Sequence, residues 1–331
     1  MDFIIADENR IEQGTLDVAQ TIDIDNLELY DFEIEMFVED VNYKGIKHGA
    51  FLFAPGTEYG GRFGKIKSRT KSEKITWSGF TWRGMLEKKI VQPAAGQDYH
   101  IVSGDANEIL RDLIGDMSPL FVVPDKKSGI NIKSYQFDRY TTVRKGMENM
   151  LLKYGGKLYI HVEQGEENEP FTVFAECVVA KDYSTEIEYS QDSPFDFTAT
   201  DKKDGINHLI CLGSGDLKDR EVIHLYADPD GNISKTQSFF GANEIADVFD
   251  YSSAESTADL EKYGIRDFGE KMSYKLFEVE ITDGAEYDIG DIIAGKDQNT
   301  GLAIVAPICG KIFRMSKDGR EEIEYRMKVN E

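Results

Sequence analysis

Positive charge is scarce in this sequence. Its 331 residues include 38 Lys and Arg against 61 Asp and Glu, for a formal net charge of −23. A chain this acidic repels a phosphate backbone, and it has no long basic stripe interleaved with aromatic residues. We therefore expect no nucleic-acid binding through counterion release. The acidity favours solubility, or a surface that lets polyanions pass without sticking.

Long apolar runs are also missing. The longest, at 119–124 and 292–295, are far shorter than the roughly 20 residues that a membrane-spanning helix needs. The N-terminus has neither the basic start nor the long apolar core of a secretory signal. We therefore expect no membrane-spanning segment, and synthesis and folding in the cytoplasm.

Cysteine and histidine are too sparse for most metal or redox motifs. Cys177, Cys211 and Cys309 are far apart and each lies in an apolar run, which predicts buried free thiols. Of the five histidines only His208 and His224 are close in sequence, and both lie in apolar strand patterns. Neither His-Glu-x-x-His nor Cys-x-x-Cys occurs. We interpret both histidines as core or interface residues and predict no metal site.

The glycine-rich and acidic turns lack the residues that ligand-binding loops need. Segment 213–218 has two glycines of a dinucleotide loop but not the third, and a strand pattern follows it instead of a helix. The turn from Asp228 to Gly231 resembles a calcium loop, but its glycine comes too early and Phe239 stands where the closing Glu belongs. No Gly-x-Ser-x-Gly elbow occurs, and nothing selects a catalytic pair among 61 acidic residues. The sequence therefore predicts no catalytic, cofactor-binding or metal-binding residue, no cofactor, and a protein that is not an enzyme.

Both tryptophans of the chain lie in one stretch, 75–90. From Ile75 to Phe80 apolar and small polar residues roughly alternate, which suits a strand with one buried face. From Trp82 onward the apolar residues recur at three- and four-residue intervals, the repeat of one helix face. The pattern predicts a strand that runs into a short helix. We interpret Trp77 and Trp82 as core residues at this packing junction.

The pattern of apolar and polar residues changes twice along the chain. Residues 2–70 alternate as strands between glycine turns, with short strands at 2–6, 16–19 and 22–24 and the clearest strand at 30–38. A mixed block follows, with a helix at 106–114 capped by Ser103 or Asp105 and a second helix at 142–154. The same block contains a hairpin formed by 157–162 and 171–179.

Residues 205–331 return to short strands separated by tight turns. One helical interval, 257–272, contains Gly264 and Gly269, and we expect it to be interrupted. The chain is too long for one ordinary core. We predict three parts: a β-barrel-like domain at 1–95, an α+β middle domain at 96–195, and a β region at 196–331 that holds the interrupted helix.

The junction also resembles a known family. The run 76–93 is similar to the signature segment of hub proteins from siphophage and prophage tails, in which a strand and a small-residue turn precede a Gly-x-Leu-x-x-basic-basic-Ile helix. Gly84, Leu86, Lys88, Lys89 and Ile90 match that helix. Further similarity lies at 106–114, 135–140, 147–152, 290–293 and 323–325.

This resemblance implies a baseplate hub related in fold to the central hub of myophages. Such hubs are mainly β, with two small tail-tube-like β-barrel domains that flank and enclose an α+β region. It further implies a homotrimer with pseudo-sixfold symmetry that connects the tail tube to the tail tip and lets DNA pass. The implied location is the virion tail, assembled in the cytoplasm of the bacterial host. The implied partners are tail-tube, distal-tail, tape-measure and tip or fibre proteins.

Two alternatives remain open at the level of sequence. One is a tail-associated enzyme that degrades the cell wall, a glycosidase or a peptidase, which requires close carboxylates in a cleft. The other is the hub of a contractile injection system, which shares the architecture. Many hubs continue into a peptidase or lysozyme extension, whereas this chain stops at residue 331. We expect any wall-degrading activity to belong to another polypeptide.

Overall fold

The computed structural model describes residues 1–185, 188–189, 196–281 and 287–330, so the boundary that we predict near residue 195 lies outside the described ranges. Strands account for 42% of the structure and helices for 18%, which confirms a mainly β protein.

The four α-helices of the described residues are α1 (Trp82–Glu87), α2 (Ala106–Ile114), α3 (Val143–Lys153) and α4 (Thr257–Lys271). The strands are β1 (Ile4–Ala6), β2 (Glu12–Thr15), β3 (Thr21–Asn26), β4 (Asp31–Phe37), β5 (Phe51–Phe53), β6 (Gly60–Ser68), β7 (Lys74–Thr81), β8 (Ile101–Asp105), β9 (Phe121–Val122), β10 (Asn131–Gln136), β11 (Gly156–Glu163), β12 (Thr172–Val179), β13 (Glu188–Tyr189), β14 (Asp196–Lys202), β15 (His208–Leu212), β16 (Val222–Ala227), β17 (Ile233–Ser234), β18 (Ala246–Asp250), β19 (Tyr274–Ile281), β20 (Ile292–Lys296), β21 (Ala303–Ser316) and β22 (Glu321–Asn330).

The chain forms two compact units. Unit 1 comprises Met1–Asp196, Val279–Ala294 and Pro307–Arg326, and unit 2 comprises Phe197–Glu278, Gly295–Ala306 and Met327–Glu331. The long strands β21 and β22 therefore contribute residues to both units. None of the described helices is long and apolar enough to cross a membrane.

Unit 1 is built on an antiparallel sheet with the strand order β21, β3, β4, β7, β6, β5, β1, β2. Alternation places Phe32, Ile34 and Met36 of β4 on its buried face, and all three side chains are fully buried. The strands do not close into a barrel within the described ranges. The prediction is thus confirmed for its mainly β class and not for its two barrels.

The predicted strand-to-helix junction is present and joins two cores of unit 1. Strand β7 ends at Thr81, whose hydroxyl caps α1 by accepting a hydrogen bond from Gly84 N. Trp77 packs in the core under the sheet, together with Phe63. Trp82 packs in a separate core formed with α2, α3, β11 and β12. Both tryptophans are buried, as predicted.

The α+β part of unit 1 follows the sequence pattern closely. Helix α2 starts after Asp105, whose carboxylate accepts a hydrogen bond from Asn107 N, and Gly115 follows its last residue. Helix α3 is capped in the same way by Thr142. Its C-terminus leads into the predicted hairpin, in which β11 and β12 pair antiparallel over their whole length. These predictions are confirmed.

Unit 2 contains a four-stranded sheet with the order β17, β16, β15, β18, and α4 packs on one face of it. The interruption that we predicted in this helix is wrong, because α4 runs unbroken from Thr257 to Lys271. Gly264 is buried there, and an added Cβ would lie 2.5 Å from Cys211 Sγ. The glycine thus lets the helix approach the sheet instead of breaking it.

Two smaller predictions are also corrected. Residues 16–19 form no strand. Strand β2 (Glu12–Thr15) ends directly before them, and Leu16 N donates a hydrogen bond to Phe3 O. Cys309 is exposed, because β21 points alternate side chains outward and 309 falls on the outer set. Cys177 and Cys211 are buried free thiols, as predicted, and burial raises the pKa of the Cys211 thiol to about 11.

Candidate functional site

Strands β3 and β4 carry a row of carboxylates on the face of the sheet opposite the core, here called the acidic strand face. Its members alternate with the core-facing residues of the same strands, and one member, Asp25, is itself buried at 8% exposed. Asp23 stands directly opposite Glu33, and Asp25 stands directly opposite Asp31. Like charges in directly opposed positions repel, and basic neighbours reduce that repulsion, since Lys74 Nζ lies 2.5 Å from Glu35 Oε1 and Arg314 Nε lies 3.3 Å from Asp23 Oδ2. The acidic strand face consists of Asp23, Asp25, Asp31, Glu33 and Glu35.

The pKa values of two members, Asp31 and Asp23, are raised, and repulsion between carboxylates contributes to both shifts. Burial, together with the neighbouring Asp25 and Glu33, raises the pKa of Asp31 above its ordinary value. Burial also raises the pKa of Asp23, although the Arg314 guanidinium beside it, 3.3 Å away, acts in the opposite direction. Basic side chains thus border the face, and its centre remains anionic.

A second charged feature, the buried ion cluster, consists of Glu58, Arg83, Glu148 and Lys311. Arg83 Nε donates to Glu58 Oε2 at 2.6 Å, and its Nη1 donates to Glu148 Oε1 at 2.9 Å. The other oxygen of Glu58 lies 2.9 Å from Lys311 Nζ. Arg83 is 2% exposed, so it can be charged there only because it is paired.

Proton affinities in this cluster favour the ionised state. Burial raises the pKa of Glu58, but the charges of Arg83 and Lys311 outweigh burial and lower the pKa to about 2. Burial also lowers the pKa of Arg83, and its two carboxylate partners raise it above the ordinary value. Each glutamate is shared between two cations, Glu58 between Arg83 and Lys311, and Glu148 between Arg83 and Arg144. The arrangement is suited to fixing α1 against its neighbours and not to donating or accepting protons.

The buried ion cluster was not predicted from the sequence. Arg83 follows Trp82 in a short helix whose other buried positions are apolar or glycine. A charged side chain next to the aromatic anchor of a helix was the one available signal, because such a residue needs a buried partner. The partners themselves were invisible, since Glu58 and Glu148 lie 25 and 65 residues away in sequence.

The sheet of unit 2 exposes apolar residues on the face opposite α4. Val222 and Val248 are 46% and 51% exposed, and Ile210 and Leu212 beside them are half-buried. The register brings the four together, since Ile210 pairs with Val248 and Leu212 pairs with Val222. We call Ile210, Leu212, Val222 and Val248 the apolar patch. Exposed groups of this kind are typical of interaction surfaces.

The motifs that we weighed in the sequence have ordinary structural roles. Asp228 Oδ1 accepts hydrogen bonds from Asp230 N and Asn232 N, so its turn is closed by its own backbone. Segment 213–218 leads into a short 3-10 turn and not into an α-helix. His208 and His224 are in direct contact, on the same sheet face as the apolar patch.

Comparison with solved structures identifies the fold. A 43 kDa tail protein of prophage MuSo2 from Shewanella oneidensis matches with a TM-score of 0.57 and 12% identity, covering 100% of this chain and 98% of that one. A tail protein from Neisseria meningitidis MC58 matches with a TM-score of 0.52 and 14% identity, over 99% and 97% of the two chains. The prophage tail protein gp18 from Listeria monocytogenes matches with a TM-score of 0.50 and 11% identity, over 100% and 95%.

These similarities extend along whole chains. This protein therefore has the fold of prophage tail proteins, and the resemblance inferred from the sequence is confirmed at the level of fold. No family model matches the sequence, and no curated protein matches it.

Proposed function

We propose that this chain is a structural protein of a phage or prophage tail, which acts as a hub between the tail tube and the tail tip or baseplate. The observation that carries the proposal is the shared fold, which covers 95–98% of three tail proteins from different bacteria. A fold conserved over the whole length at 11–14% identity points to a common architecture and not to a common catalytic site.

The hub is proposed to work as a homotrimer. Three copies, each with two tail-tube-like β domains around an α+β region, divided near residues 95 and 195, would match a sixfold tube. Tail-tube, distal-tail, tape-measure and tip or fibre proteins are the proposed partners, and the virion tail is the proposed location after assembly in the host cytoplasm. The apolar patch is the proposed contact with a second copy, since it exposes Val222 and Val248.

The acidic strand face supports the passage of DNA through such a ring. Asp25 is only 8% exposed, and Glu35 and Asp23 lie 2.5 and 3.3 Å from the basic groups of Lys74 and Arg314, so Asp31 and Glu33 carry most of the repulsion of phosphate groups on this face. The net charge of −23 adds to that repulsion. A channel lined by carboxylates would lead DNA through without binding it. We propose that the acidic strand face lines this channel.

Light scattering over a wide concentration range tests the trimer. We expect a mass three times that of the chain. A stable interface buries more than about 1,200 Å², so the trimer should persist when the protein is diluted. Val248→Glu is expected to yield monomers, since it introduces a charge into the apolar patch. Val179→Glu is the matched control, because Val179 is 61% exposed and belongs to β12 of unit 1, whereas the patch belongs to unit 2.

Strictly monomeric wild-type protein at every concentration would contradict the proposed trimer. If Val248→Glu is still a trimer, the proposed homotrimer is supported, but the apolar patch is not its interface.

A further inference from the structure

Two histidines of unit 2 meet beside the apolar patch. His208 Nε2 lies 2.8 Å from His224 Nδ1, because β15 and β16 are antiparallel neighbours and their residues alternate in direction. The two rings stack with centroids 5.1 Å apart, and Tyr226 stacks on His208 at 4.4 Å. The contact is therefore a packed arrangement of two rings held by a third.

The hydrogen bond on the far side of His208 determines which of its nitrogens is free. His208 Nδ1 is 2.5 Å from Glu244 Oε1. A carboxylate can only accept, so Nδ1 carries the hydrogen and the neutral ring presents the Nε2 lone pair to His224. A histidine that donates one N–H to a carboxylate and offers the other nitrogen has the arrangement of a metal-binding histidine.

We propose that His208 Nε2 and a ring nitrogen of His224 bind a divalent transition metal ion, with Glu244 as the positioning residue for His208. Two metal–nitrogen bonds of about 2.0–2.1 Å at a right angle place their nitrogens about 2.9 Å apart. The observed 2.8 Å therefore fits square-planar or octahedral coordination, which Cu²⁺ and Ni²⁺ favour. Imidazole is a good ligand for both ions, and Cu²⁺ binds such sites most tightly.

The proton that lies between the rings has a route out. His224 is exposed, so its Nδ1 hydrogen can exchange through water to Nε2 while the ring stays neutral. The metal then takes the position between the two nitrogens after a small rotation of the His224 ring, and no net proton is released. Among the described residues, no group of three or more His, Cys, Asp or Glu could hold a metal, so the site offers two protein ligands and the remaining positions would be open to water.

A Cu²⁺ titration of the full chain tests the proposal, with excess Mg²⁺ present to occupy carboxylates. Electron paramagnetic resonance of the wild-type protein is expected to show one Cu²⁺ coupled to two imidazole nitrogens. His224→Ala should weaken binding at least tenfold and remove the two-nitrogen signature. Glu244→Gln should weaken it by about 10- to 100-fold, as is usual for groups that orient a metal-binding histidine.

His48→Ala is the matched control, because His48 is also exposed and lies in unit 1. It should bind Cu²⁺ like the wild type. Circular dichroism checks that His224→Ala is folded, as its exposed position predicts. The proposal is overturned if folded His224→Ala binds as tightly as the wild type, if the wild type shows fewer than two nitrogens, or if His48→Ala loses binding equally. None of these outcomes depends on the tail function.

Discussion

Trp82 is the side chain on which the aromatic core of unit 1 converges. The centroid of its ring lies within 6.4 Å of the ring centroids of Phe51, Phe121 and Phe171. These three residues come from separate stretches of the sequence. One helix position thus connects β5, β9 and the start of β12. Two polar features also matter at this scale: the buried ion cluster, which includes Arg83 next to Trp82, and the paired histidines of unit 2.

Replacing Trp82 with Ala should destabilise the protein by about 3–5 kcal/mol, because the substitution removes buried aromatic area and leaves a cavity. Urea unfolding followed by circular dichroism measures the loss. Leu217→Ala is the control, since Leu217 is 94% exposed and should change stability little. An unchanged free energy of unfolding for soluble Trp82→Ala would contradict the interpretation of Trp82 as a core residue.

Glu58→Gln should destabilise unit 1 by about 3–5 kcal/mol at neutral pH, because Arg83 and Lys311 would lose the carboxylate that neutralises them in the interior. The pH dependence has a definite sign. The pKa of Glu58 is lowered from 4.5 to about 2 in the folded protein, so its stabilising contribution is complete above 4.5 and is lost as pH falls towards 2. The difference between wild type and variant should therefore shrink across that window. Glu167→Gln, an exposed change of the same chemistry, should show no such dependence.

At the scale of elements, amphipathic pattern and capping residues predicted α2, α3 and the β11–β12 hairpin, because each is specified by residues within one short segment. Prediction failed where a distant contact decides the outcome. Gly264 looks like a helix breaker in sequence, and only the position of Cys211 across the interface shows why the helix continues. The buried ion cluster could not be predicted for the same reason. The acidic strand face was visible as carboxylates alternating with apolar residues, but its cross-strand register was not.

Gly264→Ala should destabilise unit 2 by about 1–3 kcal/mol, because the new methyl group would overlap Cys211 Sγ at the face between α4 and the sheet. Gly269→Ala, in the same helix, should be neutral or stabilise by up to about 1 kcal/mol through helix propensity. Thermal unfolding of the two variants decides the matter. Equal effects would mean that the helix does not approach the sheet as closely as the structure indicates.

Asp31→Asn should stabilise unit 1 by a few tenths to about 1 kcal/mol at neutral pH, since it removes one of two directly opposed carboxylates. The pKa of Asp31 is raised in the folded protein, so its ionisation costs stability as pH rises through that raised value. The gain from Asp31→Asn should therefore disappear below the ordinary pKa of 3.8. Asp25→Asn is the contrasting control, because Asp25 Oδ1 accepts hydrogen bonds from Leu27 N and Glu28 N. That variant should gain less or lose stability in chemical denaturation across the same pH range.

For the whole molecule, the distribution of charge matters more than its sum. Sixty-one acidic residues on any fold would oppose DNA binding, but the proposed channel requires the repulsion to lie on one particular surface. Wild-type protein should therefore show no retention of duplex DNA in a gel-shift assay even at low salt. Charge reversal of Asp31, Glu33 and Glu35 to Lys should create binding that weakens steeply as salt rises, because the new contacts are to phosphates.

The matched control is the same number of charge reversals at three exposed glutamates elsewhere, Glu163 at the end of β11 and Glu166 and Glu167 in the loop that follows it. Both triple variants change the net charge by the same amount, so a difference between them reports position alone. If the acidic strand face lines a channel, its variant should block DNA release from assembled tails, and the loop variant should release DNA normally. Equal behaviour of the two in both assays would reduce the acidity to a general property of the surface and remove the argument for a channel at β3 and β4.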